Sequence, residues 1–154
     1  MTDAEQKQLE NRIQAIADEW ILCLGLQWWH ISFYYHGDSG AYRDSSAGVP
    51  AESKAYTSAS WPYLDAAIHY NLSGLSDYDD VHLEEVVVHE LMHVMVHEMR
   101  SVANCECEQF DIRHEERVCT MLERAFVWTN EHFRDSQSQT PSPVETEKLP
   151  DDAD

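Results

Sequence analysis

The segment Val86-Val87-Val88-His89-Glu90-Leu91-Met92-His93-Val94-Met95 constrains this chain more than any other. Its apolar residues fit a buried helix, yet it carries two histidines and a glutamate, which are costly to bury without a compensating partner. Four residues apart on a helix, His89 and His93 project from one face a turn apart and can hold one metal ion. Glu90, displaced by one residue, does not ligate that ion but can reach a water on it. Zinc lowers the pKa of such a water to about 7, and a neighbouring carboxylate takes its proton as the water attacks a carbonyl. The spacing His-Glu-x-x-His arises in roughly 5% of shuffled chains of this composition. Its place inside an apolar helix is what lifts it above chance.

A zinc centre of this kind needs a third protein donor and an open position. His97 extends the run, but a rise of about 1.5 Å per residue sets it about 12 Å from His89, too far to share one ion. The longer pattern HExxHxxGxxH fails as well, since Val96 stands at the Gly position and Met99 at the His position. The following helix offers Asp111, His114, Glu115 and Glu116. Its apolar face is set by Val118, Leu122, Ala125, Phe126 and Thr129. At about 100° per residue, Glu115 falls within that face and Glu116 points away from its centre. The expected metal ligands are therefore His89, His93 and Glu115, with Glu116, His114 and Asp111 as alternatives and Glu90 as the catalytic base. No residue stands out as the oxyanion stabiliser; His114 is merely the nearest candidate.

Elsewhere the chain is organised simply. Leu9, Ile13, Ile16, Trp20 and Leu24 mark one face of an amphipathic helix over 3–24, with Gly25 as its stop. Trp29, Ile31, Phe33 and Tyr35 alternate with more polar residues, a strand pattern that ends at Gly37-Asp38-Ser39-Gly40. Residues 54–60 and 65–72 read as two further strands parted by Trp61-Pro62. Asp77, Asp79 and Asp80 supply caps for a helix over 81–100, and a second helix is expected over 111–133. The fold class is α+β in the order α-β-β-β-α-α, with a sheet of three to four strands. Residues 1–134 form one domain, and 135–154 read as a disordered acidic tail. Trp28 and Trp29 are expected in the core. Cys105 and Cys107, with His97 and His114, offer a second zinc site only at an unusual Cys-x-Cys spacing, so reduced thiols are expected.

The formal charge is −19. The tail from Asp135 holds six acids and one lysine, so most of that charge belongs to the body. Such a field repels phosphate backbones, and the ten Lys and Arg are scattered, so no nucleic-acid partner is expected. No apolar run reaches the roughly 18 residues of a membrane span, and the first residues lack the basic and apolar stretches of a signal peptide. A cytoplasmic protein with free cysteines, no membrane partner and an unspecified oligomeric state is the expectation.

His89-Glu90-Leu91-Met92-His93, followed some twenty residues later by Glu115-Glu116-Arg117-Val118, resembles the gluzincin arrangement, in which two helices give His, His and Glu. With the α-β-β-β-α-α order, residues 28–130 resemble the minimal zincin-like core of the ImmA/IrrE-like peptidases and the small metallopeptidase-like proteins of phage genomes. In that family the Glu helix often reads Glu-x-x-Ala/Val, which Glu115 and Val118 satisfy. The resemblance implies a Zn2+-dependent metallopeptidase acting on a peptide or protein, with substrate along an edge strand. The SprT-like proteins, which use a third His and bind DNA, are similar around HExxH, but the acidic charge argues against that branch. A different implication is a zincin-fold structural or interaction protein that binds zinc without peptidase activity.

Overall fold

The computed structural model describes residues 1–37, 53–103 and 108–138. Helix α1 (Asp3–Cys23) begins at a capping box: Glu5 N–H donates to Thr2 Oγ1 at 3.3 Å, and Thr2 N–H donates to Glu5 Oε2 at 2.7 Å. It buries Leu9, Ile13, Ala17 and Trp20, while Ile16 and Leu24 pack only at the margin. Gly25 follows with φ +70°, a left-handed turn that costs glycine little and lets the chain leave the helix there.

Strand β1 (His30–His36), strand β2 (Ala55–Ser60), a 3-10 turn (Trp61–Tyr63) and strand β3 (Asp65–Asn71) come next. The three strands form one mixed sheet in the order β1-β3-β2. β1 runs parallel to β3, β2 antiparallel to it, and among the described residues β2 is an edge. The pleat sends Ile31, Phe33, Tyr35, Ala55, Thr57, Ala59, Ala66, Ile68 and Tyr70 to one face. Their apolar members pack in one cluster with α1 and with Leu83, Val87, Val88, Leu91 and Met92 of α3. Trp29 joins the margin of this core, but Trp28 is 78% exposed, so the expected tryptophan pair divides between core and solvent.

A one-turn helix α2 (Leu72–Leu75) leads to α3 (Asp80–Ala103) and α4 (Glu108–Ser138). Of the three aspartates expected to cap α3, Asp79 does so, accepting from His82 N–H at 2.9 Å. Both long helices outrun their expected bounds. No Gly or Pro stands between Ser101 and Ser138, so nothing in the sequence stops them. Helix therefore continues through 135–138, which the sequence assigns to the tail; 139–154 and Cys105 and Cys107 lie outside the described residues. α4 packs along α3. Arg134 pairs with Glu19 and Glu84, while Trp20 Nε1–H donates to Glu84 Oε1 at 2.8 Å, so α1, α3 and the end of α4 meet at Glu84. The architecture is α+β. Among the described residues no helix is long and apolar enough to cross a membrane.

The opposite face of the sheet carries a ladder of rings. His69 is stacked between Tyr34 at 4.6 Å and Tyr56 at 4.4 Å, and its Nδ1 lies 3.0 Å from His36 Nε2. One imidazole must donate and the other accept, so the pair is not compatible with two protonated rings. Burial lowers both pKa values below 6.5, and His36 lowers His69 further. Below 6.5 the unfolded chain therefore binds protons that the folded chain refuses, and stability falls with pH until the lowered values are passed. Urea unfolding should show this loss between pH 7 and 5, with a shallower slope in His69→Gln.

Candidate metal centre

The seam between α3 and α4 holds the titratable residues that the sequence singles out. On α3, a turn apart, His89 and His93 bring their Nε2 atoms to 3.2 Å. From α4, Glu116 straddles them: Oε2 is 3.4 Å from His89 Nε2, and Oε1 is 3.4 Å from His93 Nε2. One donor atom from each of His89, His93 and Glu116 lies within 4.8 Å of the other two, a group that can hold a metal ion. For zinc–donor bonds of about 2.0–2.1 Å, the edge of a tetrahedron is about 3.3–3.4 Å. The observed spacings fit that edge.

Glu115 lies on the other side of the ring. Its Oε1 accepts from His93 Nδ1 at 2.9 Å, and its side chain is 8% exposed, against 56% for Glu116. With Nδ1–H committed to Glu115, a neutral His93 presents its Nε2 lone pair toward His89 and Glu116. Glu115, the third donor expected from the sequence, thus meets His93 at Nδ1, while Glu116, the alternative, reaches the point where the two Nε2 atoms converge.

The reason is a rotation of α4. Its buried residues are Cys119, Glu123 and Val127, whereas Val118 and Phe126 are exposed. The buried stripe lies roughly 130° from the one drawn through Val118, Leu122 and Ala125, because a cysteine and a glutamate belong to it. Glu116 lies in line with this stripe, seven residues before Glu123, whereas Glu115 lies about 80° to one side of it, where it meets His93 Nδ1. Cys119 Sγ also approaches His93 Nδ1, at 3.5 Å. Burial acts to lower the pKa of His93, but the Cys119 and Glu115 contacts, with the charge of Glu90, outweigh it and raise the value to about 10.

Glu90 is buried on the sheet side, and its Oε2 accepts from Thr57 Oγ1 at 2.7 Å. Burial raises its carboxyl above the usual range, while His93, Thr57 and His89 pull it down. Thr57 escapes a reading based on motifs. Its signal is the alternation of β2, which sends 55, 57 and 59 inward and makes Thr57 the polar residue among two alanines. Tyr70 is fully buried nearby, and its hydroxyl has no hydrogen-bond partner among the described residues.

A cleft of about 940 Å³ opens over these groups. β2, with Ser53 and Lys54, forms one wall; Glu85, Val86, His89, Glu90, His93 and His97 of α3 and Glu115, Glu116 and Glu123 of α4 form the rest. His97 thus faces the cleft but stands outside the three-donor group. The side chains of Asp111 and His114 lie outside those described.

No protein-family model matches the chain, and no curated protein or solved structure matches it either.

Removing the Thr57 hydroxyl leaves a buried carboxylate short of a donor. Thr57→Val should lower unfolding free energy by about 1–3 kcal/mol in urea titrations at neutral pH.

Proposed function

We propose that this chain is a zinc-dependent metallopeptidase built on a minimal zincin-like core, in which His89, His93 and Glu116 hold the metal and Glu90 is the general base. One observation carries the reading. Three donors from two helices converge at tetrahedral spacing in an open cleft, beside a carboxylate braced by the wall strand. Zinc held there would supply Lewis acidity, polarising a carbonyl and lowering the pKa of water.

The protein's own groups supply the rest. Glu115 holds His93 by Nδ1, which keeps Nε2 free to donate its lone pair. Glu90 accepts the proton of the attacking water and can pass it to the leaving amine. Thr57 fixes the carboxylate so that Oε1 remains for that proton. β2 is a sheet edge along the cleft, and an edge offers main-chain N–H and C=O groups to an extended peptide. A peptide laid there meets the base and the metal ligands together.

A second reading has support from the burial of Glu90 and its bond to Thr57: a carboxylate held so firmly also suits a zincin-fold interaction protein that binds zinc without hydrolysis. The same variants separate the two. Wild type should bind about one zinc per chain by elemental analysis after dialysis. His93→Ala and Glu116→Ala should lose it, while Glu115→Gln should retain it with affinity weakened about 10–100-fold in chelator competition. The reverse pattern, with Glu115 essential and Glu116 dispensable, would reassign the third donor.

Glu90→Gln should keep the metal yet abolish cleavage of a mixed peptide library. An equally active Glu90→Gln removes the proposed mechanism, and zinc binding with no cleavage by wild type favours the second reading.

A further inference from the structure

A second pair of acids lines the same cleft. Glu85 stands one turn before His89 on α3, and Glu123 stands two turns after Glu116 on α4. The two are close enough that the charge of Glu85 bears on the Glu123 carboxyl. Glu123 is only 7% exposed, yet among the described residues its carboxylate has no hydrogen-bond or ion-pair partner. A carboxylate this enclosed, facing the cleft with no direct ion pair, is costly, and a fold keeps one where a ligand brings a charge to it. Burial, then Glu85, raise its carboxyl above the usual range; His89 and Arg124 lower it only in part.

What ligand fits follows from the surroundings. The three-donor group found in the cleft is His89, His93 and Glu116, so Glu85 and Glu123 do not close a further coordination sphere among the described residues. A single positive charge on an apolar arm suits them better. Val86 and Ala59 line the approach and would cover methylene groups. The four-residue step from Glu85 to His89 is about 6 Å along the helix, a span that a lysine or arginine stem covers.

We propose that Glu123 and Glu85 form a specificity subsite that takes the lysine or arginine side chain of a peptide, next to the bond presented to Glu90. This rests on the peptidase reading for the word substrate, but not for the binding itself. The acidic field of the chain, −19 overall, draws the same class of peptide toward the cleft.

The test has a binding arm and a cleavage arm, each using matched peptides with lysine, norleucine or glutamate at one central position. Binding is read by fluorescence anisotropy on zinc-loaded Glu90→Gln, alone and combined with Glu123→Gln, Glu85→Gln or Glu131→Gln. Glu131 is an exposed α4 acid whose removal changes net charge equally. Cleavage is read with wild type and the same single variants. The lysine peptide should bind and react at least about tenfold better than norleucine, as a charge-assisted contact implies. Glu123→Gln should reduce that to less than about threefold, Glu85→Gln should weaken it, and Glu131→Gln should leave it unchanged. Thermal melts confirm that Glu123→Gln is folded.

Cleavage without lysine preference, or a preference indifferent to Glu123→Gln, overturns the subsite and leaves the peptidase standing. Lysine-selective, Glu123-dependent binding with no cleavage does the opposite. Absence of binding by any peptide, or a second zinc per chain that Glu123→Gln removes, also overturns the subsite.

Discussion

The hydrogen bond between His93 Nδ1 and Glu115 Oε1 is the contact on which the rest of this site depends. It decides which nitrogen of His93 turns toward His89, and it accompanies the rotation of α4 that buries Cys119, Glu123 and Val127. With α4 in that rotation, Glu116 emerges on the open side of the seam and Glu123 follows it two turns later. A helix turned by one residue step would send neither into the cleft. A single polar contact at the seam therefore goes with the placement of both carboxylates along the cleft.

The sheet's contribution is to make the seam a cleft. β3 lies in the middle of the sheet and takes the apolar load through Ala66, Ile68 and Tyr70, all buried. β2, as the outer strand, is free to offer one edge to solvent while its inward Thr57 touches Glu90. Core packing and contact with the cleft are thus divided between neighbouring strands. The Tyr70 hydroxyl, without a hydrogen-bond partner among the described residues, and the buried Glu90 carboxylate show the cost of this arrangement: polar groups are held under the cleft where apolar ones would be more stable.

Much of this was legible in the amino-acid sequence because the signals were periodic. The apolar repeat of α1, the alternation of β1 and the motif helix each follow a single period, and the structure reproduces them within a few residues. The helix ends were not legible, since 101–138 holds neither Gly nor Pro and loss of apolar residues is not itself a stop. The orientation of Glu115 and Glu116 was not legible for a related reason. A face drawn only through apolar residues leaves out Cys119 and Glu123, which the seam buries, and it includes Val118 and Phe126, which the seam exposes. Polar residues retained for chemistry are the ones that shift a helical face away from its hydrophobic pattern.

Cys119 gives the seam a further property. Among the described residues its thiol is sealed between the helices, whereas Cys23 is open to solvent. An alkylating reagent therefore meets Cys23 at once but reaches Cys119 only when α4 lifts from α3. The slow phase of thiol labelling becomes a clock for helix parting, and whatever clamps the two helices together must slow it.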